Sequence, residues 1–358
     1  MRIVVTGGHP APALAVIDEL LKRKETDIHF IGRQFAVDHG VAPSYEFKQI
    51  KDMNIPFYHL QTGRFLRDYS LRSIVSTFRL ISGLYDSFAL LSKIKPDVVM
   101  SFGGYIALPV CIVARLMDIY VITHEQTIAP GLANKIIGKF ANKVLISFPE
   151  TMKYFDVSKT KVTGNPIRSG AMKVVKQPIT IASSRPVIYI TGGSLGSHSI
   201  NIHIERILDR LLKKFTVIHQ VGNVEEYNDF DRLSALNKKH YHVVHHFSSD
   251  EIGWVFQTAD IIISRGGANT TCELILHKKP CIIIPLPWSG SNEQELHAKL
   301  FSVSGAGDMF LQDHSSEELY EKIEYMYEHL SDYRKNFSLL KKYVHPHAVQ
   351  DIAEQILA

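Results

Sequence analysis

Short, unbroken runs of β-branched and aliphatic residues, each followed by a helical stretch, constrain this chain more than any other feature. They fall at Arg2–Thr6, Ile28–Ile31, Asp97–Ser101, Val121–Thr123 and Val144–Ser147, and again at Val187–Thr191, Thr216–Gln220, Ile261–Ser264 and Cys281–Pro285. Continuous apolar runs, in place of polar alternation, predict strands covered on both faces, as in parallel sheets. Strands alternating with helices along the whole length predict an α/β, doubly wound fold. The pattern restarts near the middle. Gly164-Asn165-Pro166-Ile167-Arg168 closes one block, a polar strandless passage follows, and Val187 opens a second series. A chain of 358 residues has room for two such domains. The expected division is 1–164 and 165–340, both Rossmann-like, with a helical tail over 341–358 packing back on the first. In open parallel sheets ligands bind at the carboxyl ends of the strands, so two such domains facing across a cleft would bring two ligands together.

Charge and composition narrow the partners. A net charge of +4 is too small to argue for nucleic acid, but suits an anionic membrane face or a phosphorylated substrate. The three cysteines, Cys111, Cys272 and Cys281, form no CxxC pair and predict neither a disulfide framework nor a zinc site. The chain starts with Met-Arg-Ile-Val-Val and enters a strand at once, so no signal peptide is expected. No apolar run approaches the ~18 residues of a membrane span, which predicts a protein that lies on a membrane if it meets one.

The chemistry-bearing residues cluster after the predicted strands. Gly7-Gly8-His9 follows the first; paired glycines permit close backbone approach, the next helix N-terminus favours an anion, and His9 can act as a base or phosphate partner. A histidine that merely caps the helix is the equal alternative. Phe102-Gly103-Gly104-Tyr105 and Thr123-His124-Glu125-Gln126 end two further strands, and His124 with Glu125 forms an ionisable pair where a general base is wanted. Glu125 as a simple cap of the next helix is the alternative there. In the second half, backbone N–H groups of Gly192-Gly193-Ser194-Leu195-Gly196 and the Ser194 hydroxyl can hold a diphosphate. In Arg265-Gly266-Gly267-Ala268-Asn269-Thr270-Thr271-Cys272-Glu273, the small residues leave room for a flat ring, and Glu273 can accept both hydroxyls of a ribose. Ser291-Asn292-Glu293-Gln294 offers polar groups suited to sugar hydroxyls.

Other features read as structural. Asp229-Phe230-Asp231 is the one DxD pattern; it falls in a charged helical stretch and is expected to be a solvated face. The histidines at 240, 242, 245 and 246 would split between two strand faces. From Leu71 a helical stripe including Ile81, Tyr85 and Phe88 is expected to pack mostly on the sheet, whereas Arg64, Phe65, Leu66 and Arg67 ahead of it suit a membrane surface.

Taken together, these motifs in this order resemble the bacterial family of UDP-N-acetylglucosamine:lipid-linked N-acetylmuramyl-pentapeptide transferases of peptidoglycan synthesis (the MurG type, within glycosyltransferase family 28). The resemblance covers nearly the whole chain. It is carried by Gly7-Gly8-His9 with Pro12 to Ala15, Gly103-Gly104-Tyr105, His124-Glu125-Gln126 with Pro130 to Lys135, Gly164 to Arg168, Gly192 to Gly196, Arg265 to Ala268 with Glu273, and Gln294. It implies a GT-B fold and a hexosyltransferase that moves GlcNAc from UDP-GlcNAc to the C4 hydroxyl of an undecaprenyl-diphosphate-linked muramyl sugar, by inversion. It places Asn165, Arg168, Gly193, Ser194, Ala268, Asn269, Thr270, Glu273, Glu293 and Gln294 on the donor. Gly7, Gly8, Tyr105 and His124 go to the acceptor, and His9 or Glu125 to proton removal. It implies no cofactor and no tightly held metal, a loosely bound divalent cation being compatible, and work at the cytoplasmic face of the cell membrane in cell-wall biogenesis. The chain departs from the family in a shorter first glycine loop, in Thr127 where asparagine is preferred, and in Glu293 and His297. Three other activities remain open: a UDP-sugar transferase with another lipid-linked acceptor, a UDP-GlcNAc 2-epimerase, and a non-catalytic UDP-sugar binder.

Overall fold

The computed structural model describes residues 1–358 apart from 24, 36–42, 64–70, 182–183, 194 and 223–224, and apart from the side chains of 71–80 and 225. The chain forms two compact units, Met1–Ile167 with His345–Ala358, and Arg168–Val344. The changes of unit therefore fall at 167/168 and 344/345.

In the first unit seven parallel strands, β1 (Arg2–Thr6), β2 (Asp27–Gly32), β3 (Phe57–His59), β4 (Val98–Ser101), β5 (Tyr120–Glu125), β6 (Lys143–Ile146) and β7 (Thr160–Val162), lie in the order β3-β2-β1-β4-β5-β6-β7. The helices between them are α1 (Pro10–Leu20), α2 (Tyr45–Asp52), α3 (Leu71–Ile94), α4 (Ala107–Leu116) and α5 (Leu132–Phe140). Both faces of the sheet are covered, and β1 shows how. Ile3 and Val5 join Leu14, Ile17 and Leu20 of α1 on one face. Val4 points to the other face, with Leu91 and Ile94 of α3 and Val110 of α4. Alternate side chains leave a strand on opposite faces, so a run that is apolar at every position needs two cores. Each such side chain fully buried contributes about 1.5–3 kcal/mol.

The second unit repeats the plan with six parallel strands, β8 (Val187–Thr191), β9 (Thr216–Gln220), β10 (Tyr241–Val244), β11 (Ile261–Ser264), β12 (Cys281–Ile283) and β13 (Gly307–Met309), ordered β10-β9-β8-β11-β12-β13. Its helices are α6 (Ser169–Met172), α7 (His198–Lys214), α8 (Asp229–Ser234), α9 (Ser249–Thr258), α10 (Ala268–His277), α11 (Glu293–Ser304), α12 (Ser316–Glu328) and α13 (Leu330–Asn336). Ile188 and Ile190 of β8 pack with Ile204, Leu208 and Leu211 of α7. On the other face Tyr189 meets Phe247 and Phe256 edge-on, at centroid distances of 6.0 and 6.4 Å. The last helix, α14 (Ala348–Leu357), returns to the first unit. Its Ile352, Ala353 and Ile356 complete the core that α1 begins.

Two expectations need correction. Ile81, Tyr85 and Phe88 of α3 are exposed, while Leu91 and Ile94 face the core, so the solvent-facing side of this helix carries a row of large apolar residues. Asp229 is not on a solvated face. Its carboxylate is buried and accepts from Asn201 Nδ2 (2.7 Å), His198 Nδ1 (2.9 Å) and Arg232, whose other partner is Glu205. Burial opposes its charge, but these bonds hold the carboxyl below the usual aspartate range.

Candidate functional site

Each sheet has one place where the strand order reverses direction, and the loops leaving the two strands there diverge to opposite faces and open a crevice. In the first unit that place lies between β1 and β4, in the second between β8 and β11. The glycine-rich loops fall on these four strand ends.

In the first unit the loop after β1 is Gly7-Gly8-His9, and Pro10 opens α1. The loop after β4 is Phe102-Gly103-Gly104-Tyr105. The two lie against each other. Gly8 N–H donates to Gly103 O (2.9 Å), and a Cβ on Gly104, whose φ is +83°, would stand 2.9 Å from Gly8 N. The glycines here thus permit backbone-to-backbone approach. His9 occupies the N-cap position of α1, yet its side chain makes no capping bond. Surrounding protein lowers its pKa below the ordinary histidine value, and the charge of Glu125 partly restores it. The residue as a whole remains exposed. The structure thus brings His9 and Glu125 into electrostatic contact from loops 116 positions apart in sequence. Tyr105 carries the Arg33 guanidinium 5.7 Å from its ring centroid.

The β5 end is buried and densely hydrogen-bonded. Glu125 Oε1 accepts from Thr127 N–H (2.9 Å) and sits 2.7 Å from Thr127 Oγ1, while Oε2 accepts from Asn134 Nδ2 (2.9 Å). Asn134 Oδ1 accepts in turn from Thr123 Oγ1 (2.9 Å). Glu125 therefore does not cap α5, whose N-cap residue is Gly131. It is clamped between the β5 loop and that helix. His124 is inaccessible to solvent. Its Nε2 donates to Gly164 O (3.0 Å) and its Nδ1 accepts from Gln126 Nε2 (3.2 Å). Burial pushes its pKa down to about 4, so it is a neutral structural tie near neutral pH. Asn165, in the turn that this tie holds, is buried.

In the second unit the loop after β8 runs from Gly192 to Ser197; Ser194 lies outside the described residues. Gly193, at φ +90°, has no atom within 4 Å of where a Cβ would be, and its N–H donates to Thr191 Oγ1 (3.0 Å). The loop after β11 starts with Arg265. Gly266 passes Gln294 O so closely that a Cβ would stand 2.5 Å from it. Gly267 is the N-cap residue of α10 and opens on empty space. Ala268, Asn269 and Thr270 form the first turn of α10, half-buried, and Glu273 lies one turn on. Burial raises the Glu273 carboxyl to about 8, and it sits close enough to Tyr189 to raise that phenol as well. Glu293 and Gln294 start α11; Gln294 Oε1 accepts from Leu286 N–H (3.1 Å), bracing the Pro285-to-Trp288 turn. Arg168 is the N-cap residue of α6, which packs on α9 and α10.

Sequence reasoning missed several working parts. Arg265 was part of a motif but had no role; it donates to Ser197 and Ser199 across the strand-order reversal. His297 Nδ1 donates to Gly266 O (2.7 Å), tying α11 to the β11 loop. Thr127 and Asn134 organise Glu125. Arg265 left a signal, a cation directly after a buried strand, and Thr127 and His297 stood out only as departures from the family pattern. Among the described residues no group of three or more His, Cys, Asp or Glu side chains has metal-binding geometry.

The chain matches the sequence model of the glycosyltransferase family 28 N-terminal domain over residues 3–146 and that of the family 28 C-terminal domain over residues 187–356. A relative from Clostridium novyi (strain NT), a UDP-N-acetylglucosamine–N-acetylmuramyl-(pentapeptide) pyrophosphoryl-undecaprenol N-acetylglucosamine transferase, is 35% identical, covering 94% of this chain and 93% of its own. The crystal structure of MurG from Acinetobacter baumannii superposes with a TM-score of 0.72 at 25% identity, covering 99% of both chains. A UDP-GlcNAc 2-epimerase from Neisseria meningitidis, bound to UDP-GlcNAc, superposes with a TM-score of 0.67 over the full length of both chains, but at 17% identity. The last likeness concerns the fold alone.

Proposed function

The chain belongs to glycosyltransferase family 28, and from that premise we propose that it transfers N-acetylglucosamine from UDP-N-acetylglucosamine to N-acetylmuramyl-(pentapeptide) pyrophosphoryl-undecaprenol. The observation that carries this reading is the likeness to the Clostridium novyi transferase, which spans both units almost end to end.

The second unit takes the donor. The uracil and ribose lie along the first turn of α10, over Ala268, Asn269 and Thr270, with the ribose hydroxyls on Glu273. Gly193 and Ser194 hold the diphosphate at the open start of α7, where backbone N–H groups and the helix dipole favour negative charge. Glu293, Gln294 and Arg168 serve the sugar and the phosphates. In the first unit Gly7, Gly8 and Tyr105 receive the acceptor, and His124 acts by holding the Gly164 turn. His9 is the base: its lowered pKa leaves it unprotonated near neutral pH, and Glu125 stabilises the imidazolium that forms. Glu125 itself has its carboxylate spent on Thr127 and Asn134, which makes it the poorer proton acceptor. The acceptor C4 oxygen loses its proton to His9 and bonds to C1 of the sugar as the C1–O bond to UDP breaks, with inversion. Charge on the departing UDP is met by the α7 N-terminus. The reaction needs no tightly held metal, and transfer that persists in EDTA tests that point.

No described helix is long and apolar enough to cross a membrane. We place the protein peripherally on the cytoplasmic face, with Ile81, Tyr85 and Phe88 of α3 against the bilayer. The segment Arg64–Arg67 lies outside the described residues. Flotation with anionic vesicles should weaken in a Tyr85→Ser/Phe88→Ser variant; unchanged flotation would move the contact elsewhere.

The decisive assay incubates UDP-GlcNAc with the lipid-linked muramyl-pentapeptide and weighs the product. Addition of one N-acetylhexosamine supports the proposal. Epimerised UDP-sugar without transfer, or transfer only to a different lipid-linked acceptor, refutes it.

A further inference from the structure

Arg265 is a half-buried cation whose partners are all neutral. Its Nη1 donates to Ile284 O (3.1 Å) and Pro285 O (3.2 Å), and its Nη2 to Ser197 Oγ (2.6 Å), Ser199 Oγ (2.9 Å) and Gln312 Oε1 (3.1 Å). Among the described residues no carboxylate lies within ion-pair distance of it. Burial without a countercharge pulls its pKa down to about 10. A desolvated guanidinium is costly unless an anion completes its surroundings.

The consequence falls on Ser197. Serine is among the best N-cap residues, and Ser197 has the extended backbone that a cap requires, φ −153° and ψ 105°, at the head of α7. Yet its hydroxyl makes no capping bond. It is turned to Arg265 and lies 3.2 Å from Ser199 Oγ. A helix of 17 residues thus starts with its first-turn N–H groups unclaimed by the residue best suited to claim them. On the opposite side of the same turn, buried Asp229 holds His198 and Asn201. The turn is fixed from two sides, and among the described residues nothing accepts from its first-turn N–H groups.

We propose that Arg265 is a positioning residue of the donor site: by holding the Ser197 hydroxyl away from the helix that it precedes, it keeps the start of α7 open for the diphosphate of the nucleotide sugar. The inference rests on the reading that the loop after β8 holds that diphosphate. It adds a specific competition, in which the serine and the diphosphate want the same N–H groups and Arg265 settles it for the diphosphate.

The test is titration calorimetry of UDP and of uridine on the full chain, on Arg265→Met, and on Arg265→Met/Ser197→Ala. The single variant should lose about tenfold in UDP affinity, roughly fivefold from the released serine cap and the rest from the lost positive charge. Uridine affinity should stay unchanged. Removing the serine as well should restore about fivefold for UDP. A double variant no better than the single, or an equal loss for uridine, overturns the proposal. If the unaltered protein binds UDP no better than uridine, the diphosphate placement itself is wrong, and the proposal falls with it. Should Arg265→Met not fold, Arg265→Lys with and without Ser197→Ala makes the same comparison, since one ammonium cannot hold two hydroxyls and two carbonyls together.

Discussion

Replacing Glu273 by glutamine should make the unliganded protein more stable and the nucleotide complex weaker. The carboxyl is pushed up to about 8 by burial beside Tyr189 of β8, and among the described residues no cation pairs with it. An unfolded glutamate titrates near 4.3. For an acid whose folded pKa is raised, the unfolded state holds fewer protons between the two values. Stability is therefore full below the unfolded value and is lost as pH rises towards 8. Over the roughly 2.7 pH units from 4.3 to 7, at about 1.4 kcal/mol per unit, the penalty has an upper bound of about 3.7 kcal/mol, and the partial exposure of the residue brings it to about 2 kcal/mol. Glutamine keeps the shape and removes the proton uptake that folding demands. For a unit the size of Arg168–Val344, about 2 kcal/mol corresponds to about 4–8 °C in Tm. Differential scanning calorimetry without nucleotide at pH 7.5 and pH 5 reads this directly: the variant should melt higher at the first pH and nearly level with the parent at the second. UDP should narrow the gap, because the variant loses a pair of bonds to the ribose worth about tenfold in affinity, or about 1.4 kcal/mol at saturation. A variant no more stable at pH 7.5, or a gain that is the same at both pH values, would refute the account of this site as a strained carboxylate awaiting a ribose.

Two further outcomes follow from the histidines. His9→Ala should lower kcat by about 10²–10⁴-fold with donor KM little changed; in the parent, kcat/KM should fall on the acid side with a midpoint below 6.5, and Glu125→Gln should move that midpoint lower, because Glu125 raises the His9 pKa. A midpoint that ignores Glu125 would remove the His9–Glu125 coupling from the mechanism. His124, His219 and His297 are buried neutral, with pKa values lowered to about 4, 3 and 4. Here the unfolded state holds more protons below 6.5, so stability is complete above that pH and falls as pH drops towards 4, at about 1.4 kcal/mol per unit for each ring. Urea melts at pH 7, 5.5 and 4.5 should show it, and His297→Asn, which keeps a donor for Gly266 O, should flatten the slope; equal slopes would mean that His297 is not the neutral tie described.

The central strands were legible in the sequence and the outer ones were not, for one reason. The strands anticipated from apolar runs are the inner members of the two sheets. The four left out, Phe57–His59, Thr160–Val162, Tyr241–Val244 and Gly307–Met309, are the four sheet edges. Edge strands are short and half-covered, so nothing forces an unbroken apolar run on them. Tyr241–Val244, partly accessible at every position, carries His242 at its centre. Asp229 was misread for a related reason. Charge in a helix normally marks a solvated face, and only the fold reveals that Asn201, His198 and Arg232 converge on this carboxylate from α7 and α8.

The site was legible to the degree that topology, and not side-chain chemistry, made it. A glycine loop after a central strand can be recognised from sequence, because the strand is a run and the glycines are punctuation. What sequence could not show is that the four loops belong in pairs across the two strand-order reversals, β1 with β4 and β8 with β11. The pairs are joined differently. In the first unit backbone meets backbone, Gly8 N–H to Gly103 O, and glycine is required because any Cβ on Gly104 would block the approach. In the second a side chain spans the gap, Arg265 to Ser197. A backbone bridge carries no net charge and leaves the chemistry to His9 and Glu125. A guanidinium bridge brings a positive charge to the loop that is to meet a diphosphate. The same architecture, closed by a neutral link in one unit and a cationic one in the other, is thereby suited to a hydroxyl that must lose a proton in the first and to a leaving group that must gain negative charge in the second.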